Sequence, residues 1–286
     1  MLEGFVETKA GRIWYSVYGE HQIGTPLLVV HGGPGFLSMP QVISEFADER
    51  PVYFYDQLGS GKSDRTKSLD DYSVDGFVQE LEDIRTALKL SKVILMGFSW
   101  GAGLVSAYML DKNPTGVAAL ILSSPYLSTP LWVKDTDELI SRMPEDRINI
   151  IEKGRKDKDY GEEYQNVVFE YYRRHLYCSW PFPNELMEAF HQLNQDVYGL
   201  MWGPSEFELT GKLADFDLYP NLNKISVPVL LTCGDRDELD VSTLKTYQMT
   251  FPVAQMAVLP NSGHMHHLEQ PEVYKEIVRR FLATDF

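Results

Sequence analysis

Ser99 stands within Gly97-Phe98-Ser99-Trp100-Gly101, directly after the apolar run Val93–Met96 and before the small residues Ala102 and Gly103. A Gly-x-Ser-x-Gly pentapeptide between a strand and a helix is a nucleophile elbow, a sharp turn that lifts the serine hydroxyl above a sheet. The hydroxyl attacks only when a base removes its proton, and the base needs an acid to orient it. With an elbow, chain order is Ser, then acid, then His. Downstream, Val229-Leu230-Leu231-Thr232 runs into Cys233-Gly234-Asp235-Arg236-Asp237, and a later run ends in Pro260-Asn261-Ser262-Gly263-His264. His264 is the expected base, and Gly-x-x-Asp selects Asp237 as the acid over Asp235 and Asp240. His266 and His267 follow closely, but without a partnering Cys or acidic ligand motif no metal site is expected. The tetrahedral intermediate needs two backbone donors: the N–H of Trp100 and one from the loop His31-Gly32-Gly33-Pro34-Gly35, where Gly33 is the candidate.

These residues need strand ends to hold them. Leu27–Val30, Val52–Tyr55, Val93–Met96 and Ala119–Leu122 are short apolar runs bounded by turn residues, the pattern of strands buried on both faces. Val74, Phe77, Val78, Leu81, Ile84 and Leu88 mark one helix face between the second and third runs, with Ser73 as N-cap. The alternation predicts a mostly parallel sheet covered by helices, with the candidate residues at the carboxyl ends of its strands. From 126 to 219 the spacing turns helical, as in Tyr160, Tyr164, Val167, Val168, Tyr171 and Tyr172. Of the chain's 35 aromatic residues, 16 fall in these 94 positions, so a helical lid over an aromatic pocket is expected, most of its rings packing its own core. Strand signals return at Val227–Thr232 and Ala254–Leu259, before a helix through Tyr274, Ile277, Val278 and Phe281. The expected division is a core of 1–125 and 220–286 with a lid of 126–219.

Composition narrows the partners. The 286 residues carry 26 basic and 41 acidic side chains, a formal charge of −15, and 44% are apolar. That suits a folded core and excludes disorder, while the lack of basic patches argues against nucleic acid and anionic membranes. No apolar run approaches the roughly 20 residues of a membrane helix. MLEGFVETKAG has no basic region leading into an apolar stretch, so no secretory signal is expected. Two cysteines, Cys178 and Cys233, fit a reducing, cytoplasmic setting.

Over nearly its whole length the sequence resembles the proline iminopeptidases, or prolyl aminopeptidases, a family that includes the tricorn-interacting aminopeptidases. The resemblance rests on HGGPG at 31–35, YDQLGSGKSD at 55–64, GFSWG at 97–101, GPSEF at 203–207 with Thr210-Gly211, GDRDE at 234–238 and SGH at 262–264. HGGPG and the elbow are shared across α/β-hydrolases; the lid motif and the glutamate after Asp237 are more specific. The chain departs by having Ala102 where a second glycine is common. The resemblance implies an α/β-hydrolase fold and two glutamates, Glu206 and Glu238, that bind the substrate's free amino group, with Tyr198 a lid neighbour of the site. Taken alone, Glu206 reads as a lid surface charge and Glu238 as a helix N-terminal charge.

The combined expectation is a serine aminopeptidase releasing an N-terminal residue, preferentially proline, from short peptides through an acyl-enzyme, with no cofactor or metal. Rival readings are a carboxylesterase or amino-acid amide or ester hydrolase on the same triad, and a non-catalytic receptor binding a small ligand under the lid. Ser99 at the elbow argues against dehalogenases and epoxide hydrolases, which place aspartate there.

Overall fold

The computed structural model describes residues 1–66 and 68–284. Its strands are β1 (Leu2–Glu7), β2 (Arg12–Tyr18), β3 (Leu27–Val30), β4 (Val52–Tyr55), β5 (Val93–Phe98), β6 (Val117–Ser123), β7 (Val229–Gly234) and β8 (Ala254–Leu259). They form one eight-stranded sheet in the order β1-β2-β4-β3-β5-β6-β7-β8. From β4 across to β8 every pairing is parallel, whereas β1 and β2 join antiparallel to each other and β2 to β4. The apolar runs identify the parallel strands; the β1–β2 ribbon was not read from the sequence. β1 buries only Val6, so its pattern lacks the apolar density that marks an inner strand.

Alternate residues of the inner strands feed two cores. Leu28, Val30, Leu95, Leu120, Leu122 and Leu231 pack on one side against Phe77 and Leu81 of α1 (Val74–Ala87) and Leu104 and Tyr108 of α2 (Trp100–Lys112). Leu27, Val29, Ile94, Met96, Ile121 and Leu230 pack on the other. Full burial of one such side chain contributes about 1.5–3 kcal/mol, so registers that turn these residues outward are strongly disfavoured. The Ser73 side chain caps α1 by accepting from Gly76 N at 3.1 Å. Residues Trp100–Met109 of α2 are buried all round, as expected for a helix enclosed between sheet and other helices.

Between β6 and β7 lie α3 (Thr129–Ser141), α4 (Glu145–Asp157), α5 (Glu162–His175), α6 (Asn184–Gln192) and α7 (Gln195–Met201). They have a core of their own, including Ile140, Ile151, Tyr164, Val167, Val168, Tyr171 and Phe207. After β7 come α8 (Val241–Thr250), β8, the short α9 (His266–Glu269) and α10 (Pro271–Leu282), whose Tyr274, Val278 and Phe281 cover the second core. The lid is tied to the segment before α9: His264 N donates to His175 O at 2.7 Å and Met265 N to Leu176 O at 2.8 Å. The Glu269 carboxylate accepts from Gly263 N on one side and from Cys178 N and Ser179 N on the other. Among the described residues no helix is long and apolar enough to cross a membrane.

Candidate active site

Ser99 follows β5 and precedes α2 with φ 51° and ψ −119°, a backbone conformation that costs of order 1–3 kcal/mol for a side chain with a Cβ. The turn closes because Gly101 has no side chain: a Cβ there would lie 2.2 Å from Val30 O. The loop after β3 passes alongside, with a Cβ on Gly32 falling 3.1 Å from that of Ser99. Gly33 takes φ +53°, accessible to glycine at little cost.

Asp237 and His264 follow β7 and β8. Asp237 Oδ1 lies 2.8 Å from His264 Nδ1, and both side chains are buried. The other carboxylate oxygen accepts from Ser124 Oγ at 2.5 Å, and Leu239 N donates to Oδ1 at 3.1 Å. Burial opposes the charge on Asp237, but the imidazole and these hydrogen bonds outweigh it and hold the carboxyl below its usual range. Burial likewise opposes charge on His264; Asp237, Glu238 and Glu206 reverse it and raise the imidazole to about 9. The other loop carboxylates do different work. Asp235 is exposed and accepts from Ser262 N, and Asp240 caps α8 by accepting from Ser242 N.

Glu238 is buried beside this pair, its Oε2 3.6 Å from His264 Nδ1 and its Oε1 without a partner among the described residues. Glu206 reaches in from the lid, where Tyr172 and Tyr198 donate to its Oε2 at 2.7 and 3.0 Å. Burial raises both carboxyls, and the charge of Glu206 pushes Glu238 further up. Two carboxylates so enclosed resist joint ionisation unless a cation joins them.

Ser99, Trp100, Gly33, His264, Glu238, Glu206 and Tyr198 all line one cavity of about 250 Å³. Ser99 Oγ makes no hydrogen bond among the described residues, so serine and imidazole share the cavity without being joined. Asp237 stands behind His264 and does not line the cavity. Several residues of the site were not singled out in the sequence. Tyr172 satisfies the helical periodicity of α5, which hides its second use as a donor to Glu206. Trp132 sets its ring edge-on to His264 at 5.6 Å, and Ser124 supports the Asp237 carboxylate from a strained position, φ 45°. Ser124 Oγ also lies 3.1 Å from His266 Nδ1, whose ring is driven to about 4 by burial, and Thr232 Oγ1 lies 2.9 Å from its Nε2. His266 is thus a neutral support beneath Asp237.

A serine at a strand-to-helix turn, a buried Asp–His pair and a mostly parallel sheet define a hydrolase site, and the α/β hydrolase fold family matches residues 25–271. The chain belongs to that family. Within it, the chain is 38% identical to the proline iminopeptidase of Heyndrickxia coagulans, over 99% of both chains. It also resembles the crystal structure of Mycobacterium smegmatis proline iminopeptidase, with 27% identity, TM-score 0.88 and coverage of 98% of this chain and 97% of that one. The crystal structure of VinJ superposes with TM-score 0.93 at 30% identity, covering 98% of each chain. This protein is a member of the proline iminopeptidase family of serine hydrolases.

Proposed function

We propose that the protein is an aminopeptidase that removes an N-terminal residue, preferentially proline, from short peptides. The observation that carries this reading is the pair of enclosed carboxylates, Glu206 and Glu238, on the wall of the cavity that holds Ser99. A peptide N-terminus has a pKa near roughly 7.7–8.0 and brings the positive charge this pair lacks. An N-terminal proline is a secondary ammonium with two N–H hydrogens, one for each carboxylate. Phe36, Phe190 and Tyr172, in successive ring contact at 5.5 and 5.6 Å, offer its ring an apolar wall.

With the ammonium so held, Ser99 Oγ attacks the carbonyl carbon of the first residue. His264 takes the hydroxyl proton through Nε2, since Nδ1 is engaged by Asp237. The N–H groups of Gly33 and Trp100 receive the developing oxyanion. As the C–N bond breaks, His264 passes the proton to the leaving amine. Water, deprotonated by the same imidazole, then frees the acyl group from Ser99. A reducing, cytoplasmic setting belongs to the proposal and is supported by two unpaired cysteines. The test is a panel of aminoacyl arylamides. Apolar shape discriminates by about 1–3 kcal/mol per methylene, so the prolyl substrate should lead with alanyl measurable behind it. A higher kcat/KM for leucyl or phenylalanyl arylamide overturns the proline preference.

A further inference from the structure

The segment YDQLGSGKSD has no part in the chemistry described so far, yet its Gln57 is almost wholly buried directly beneath that chemistry. It follows β4, the neighbour of β3, and β3 lies between β4 and β5. Gln57 Nε2 donates to His31 O at 2.9 Å, while its Oε1 accepts from the Trp100 indole N–H at 3.0 Å. One amide side chain therefore bonds to the loop that carries Gly33 and to the residue after the nucleophile.

The Gln57 backbone adds a third tie. Its N–H donates to His31 Nε2 at 3.0 Å, so Nε2 carries no hydrogen. The ring hydrogen is then on Nδ1, which lies 2.9 Å from Gly32 O and donates to it. Burial disfavours a second proton on this ring. In a trans peptide the C=O and N–H point to opposite sides. With Gly32 O drawn toward the histidine, the N–H of Gly33 is turned away from it. Neither this N–H nor that of Trp100 donates to another group among the described residues.

We propose that Gln57 is a positioning residue that fixes the two arms of the oxyanion site: the Gly32–Gly33 peptide through His31, and the start of α2 through the Trp100 indole. The proposal rests on the reading of Gly33 and Trp100 as oxyanion donors. It does not rest on the identity of the released residue, because any aryl ester or arylamide passes through the same oxyanion.

Gln57→Leu keeps the volume and removes both side-chain bonds. Gln57→Glu keeps an acceptor for the indole and loses the donor to His31 O; Trp100→Phe removes the indole N–H together with part of a buried ring that packs on Phe77 and Phe216. Losing a whole oxyanion donor costs about 10²–10³ in kcat, so misplacing two should cost about 30- to 100-fold in Gln57→Leu and about 10-fold in each of the others. KM should stay within about threefold, because the ammonium site is untouched. The deciding readout compares two inhibitors. Pyrrolidine-2-boronic acid forms a tetrahedral adduct with Ser99 that places an oxygen in this site, whereas pyrrolidine offers the ring ammonium alone. Boronate affinity should fall in proportion to kcat/KM, with pyrrolidine affinity unchanged. Should Gln57→Leu not fold, as judged by thermal melting, the other two variants carry the same comparison. A kcat within threefold of wild type in the folded variants, or equal losses for boronate and pyrrolidine, overturns the proposal. Absence of proline preference in the wild-type enzyme would overturn the proposed substrate and leave this comparison standing, read on an aryl ester.

Discussion

With Glu238 holding the substrate ammonium as proposed, Glu238→Gln should change two quantities at once, because the same carboxyl group also lies beside the His264 imidazole. Its Oε2 lies 3.6 Å from His264 Nδ1, and its charge helps raise that imidazole to about 9. Two unit charges at that distance interact by about 4.6 kcal/mol at an effective dielectric constant of about 20. Glu238 holds its own proton well above the usual carboxyl range, so only part of that energy is expressed near neutrality. The sign follows directly. A neutral amide stabilises the imidazolium less, the pKa of His264 falls, and the unprotonated base persists to lower pH. The acid limb of kcat/KM, which in the free enzyme reports His264, should move down by at least about one pH unit. Separately, the ammonium loses one of its two carboxylates. Removing one partner of an enclosed charge pair costs about 2–5 kcal/mol; with Glu206 still present, we expect roughly a 100-fold fall in kcat/KM for prolyl arylamide. The assay is kcat/KM from pH 5 to 10 on prolyl arylamide and on a simple acetyl ester, which carries no ammonium. An unmoved acid limb together with equal losses on both substrates would refute the reasoning and reduce Glu238 to a general support of the fold.

Ser99→Ala should keep the wild-type melting temperature within a few degrees and lower kcat by several orders of magnitude, because the nucleophile is gone; retention of more than about a tenth of turnover would remove Ser99 from the mechanism. Asp237→Asn should abolish most activity, about 10⁴-fold in the serine-protease precedent, by favouring the wrong His264 tautomer. Asp235→Asn, at an exposed carboxylate bonded to Ser262 N, should cost less than about threefold. The reverse ranking in kcat would move the acid to Asp235.

What could be read in advance follows from how each feature is encoded. The parallel strands are apolar on both faces, so Leu27–Val30 and Val93–Met96 announce themselves within four residues. The elbow is equally local, since its turn and its nucleophile lie within five residues. The β1–β2 ribbon has mostly exposed or half-buried positions in β1, and no local run marks it. Contacts between distant segments are the least legible. Gln57 meets Trp100 across 43 positions and Ser124 meets Asp237 across 113, and neither spacing carries a periodic signal. Tyr172 shows a different limit: a position at helical spacing is filled equally well by a core residue or by one that turns its hydroxyl to Glu206.

The central claim is that Glu206 and Glu238 hold the substrate's charged amine while Ser99 cleaves the adjacent bond. Its most direct measurement is kcat/KM for prolyl arylamide against its N-acetyl derivative on the same wild-type enzyme. Acetylation removes the positive charge and leaves two enclosed carboxylates facing an amide. An unpartnered buried charge costs about 3–5 kcal/mol, and relief by the proton that Glu238 retains and by water under the lid leaves an expected preference of at least about 100-fold for the free amine. Cleavage of the acetylated substrate within a few-fold of the free one would contradict the account, leaving a serine hydrolase that does not read the N-terminus.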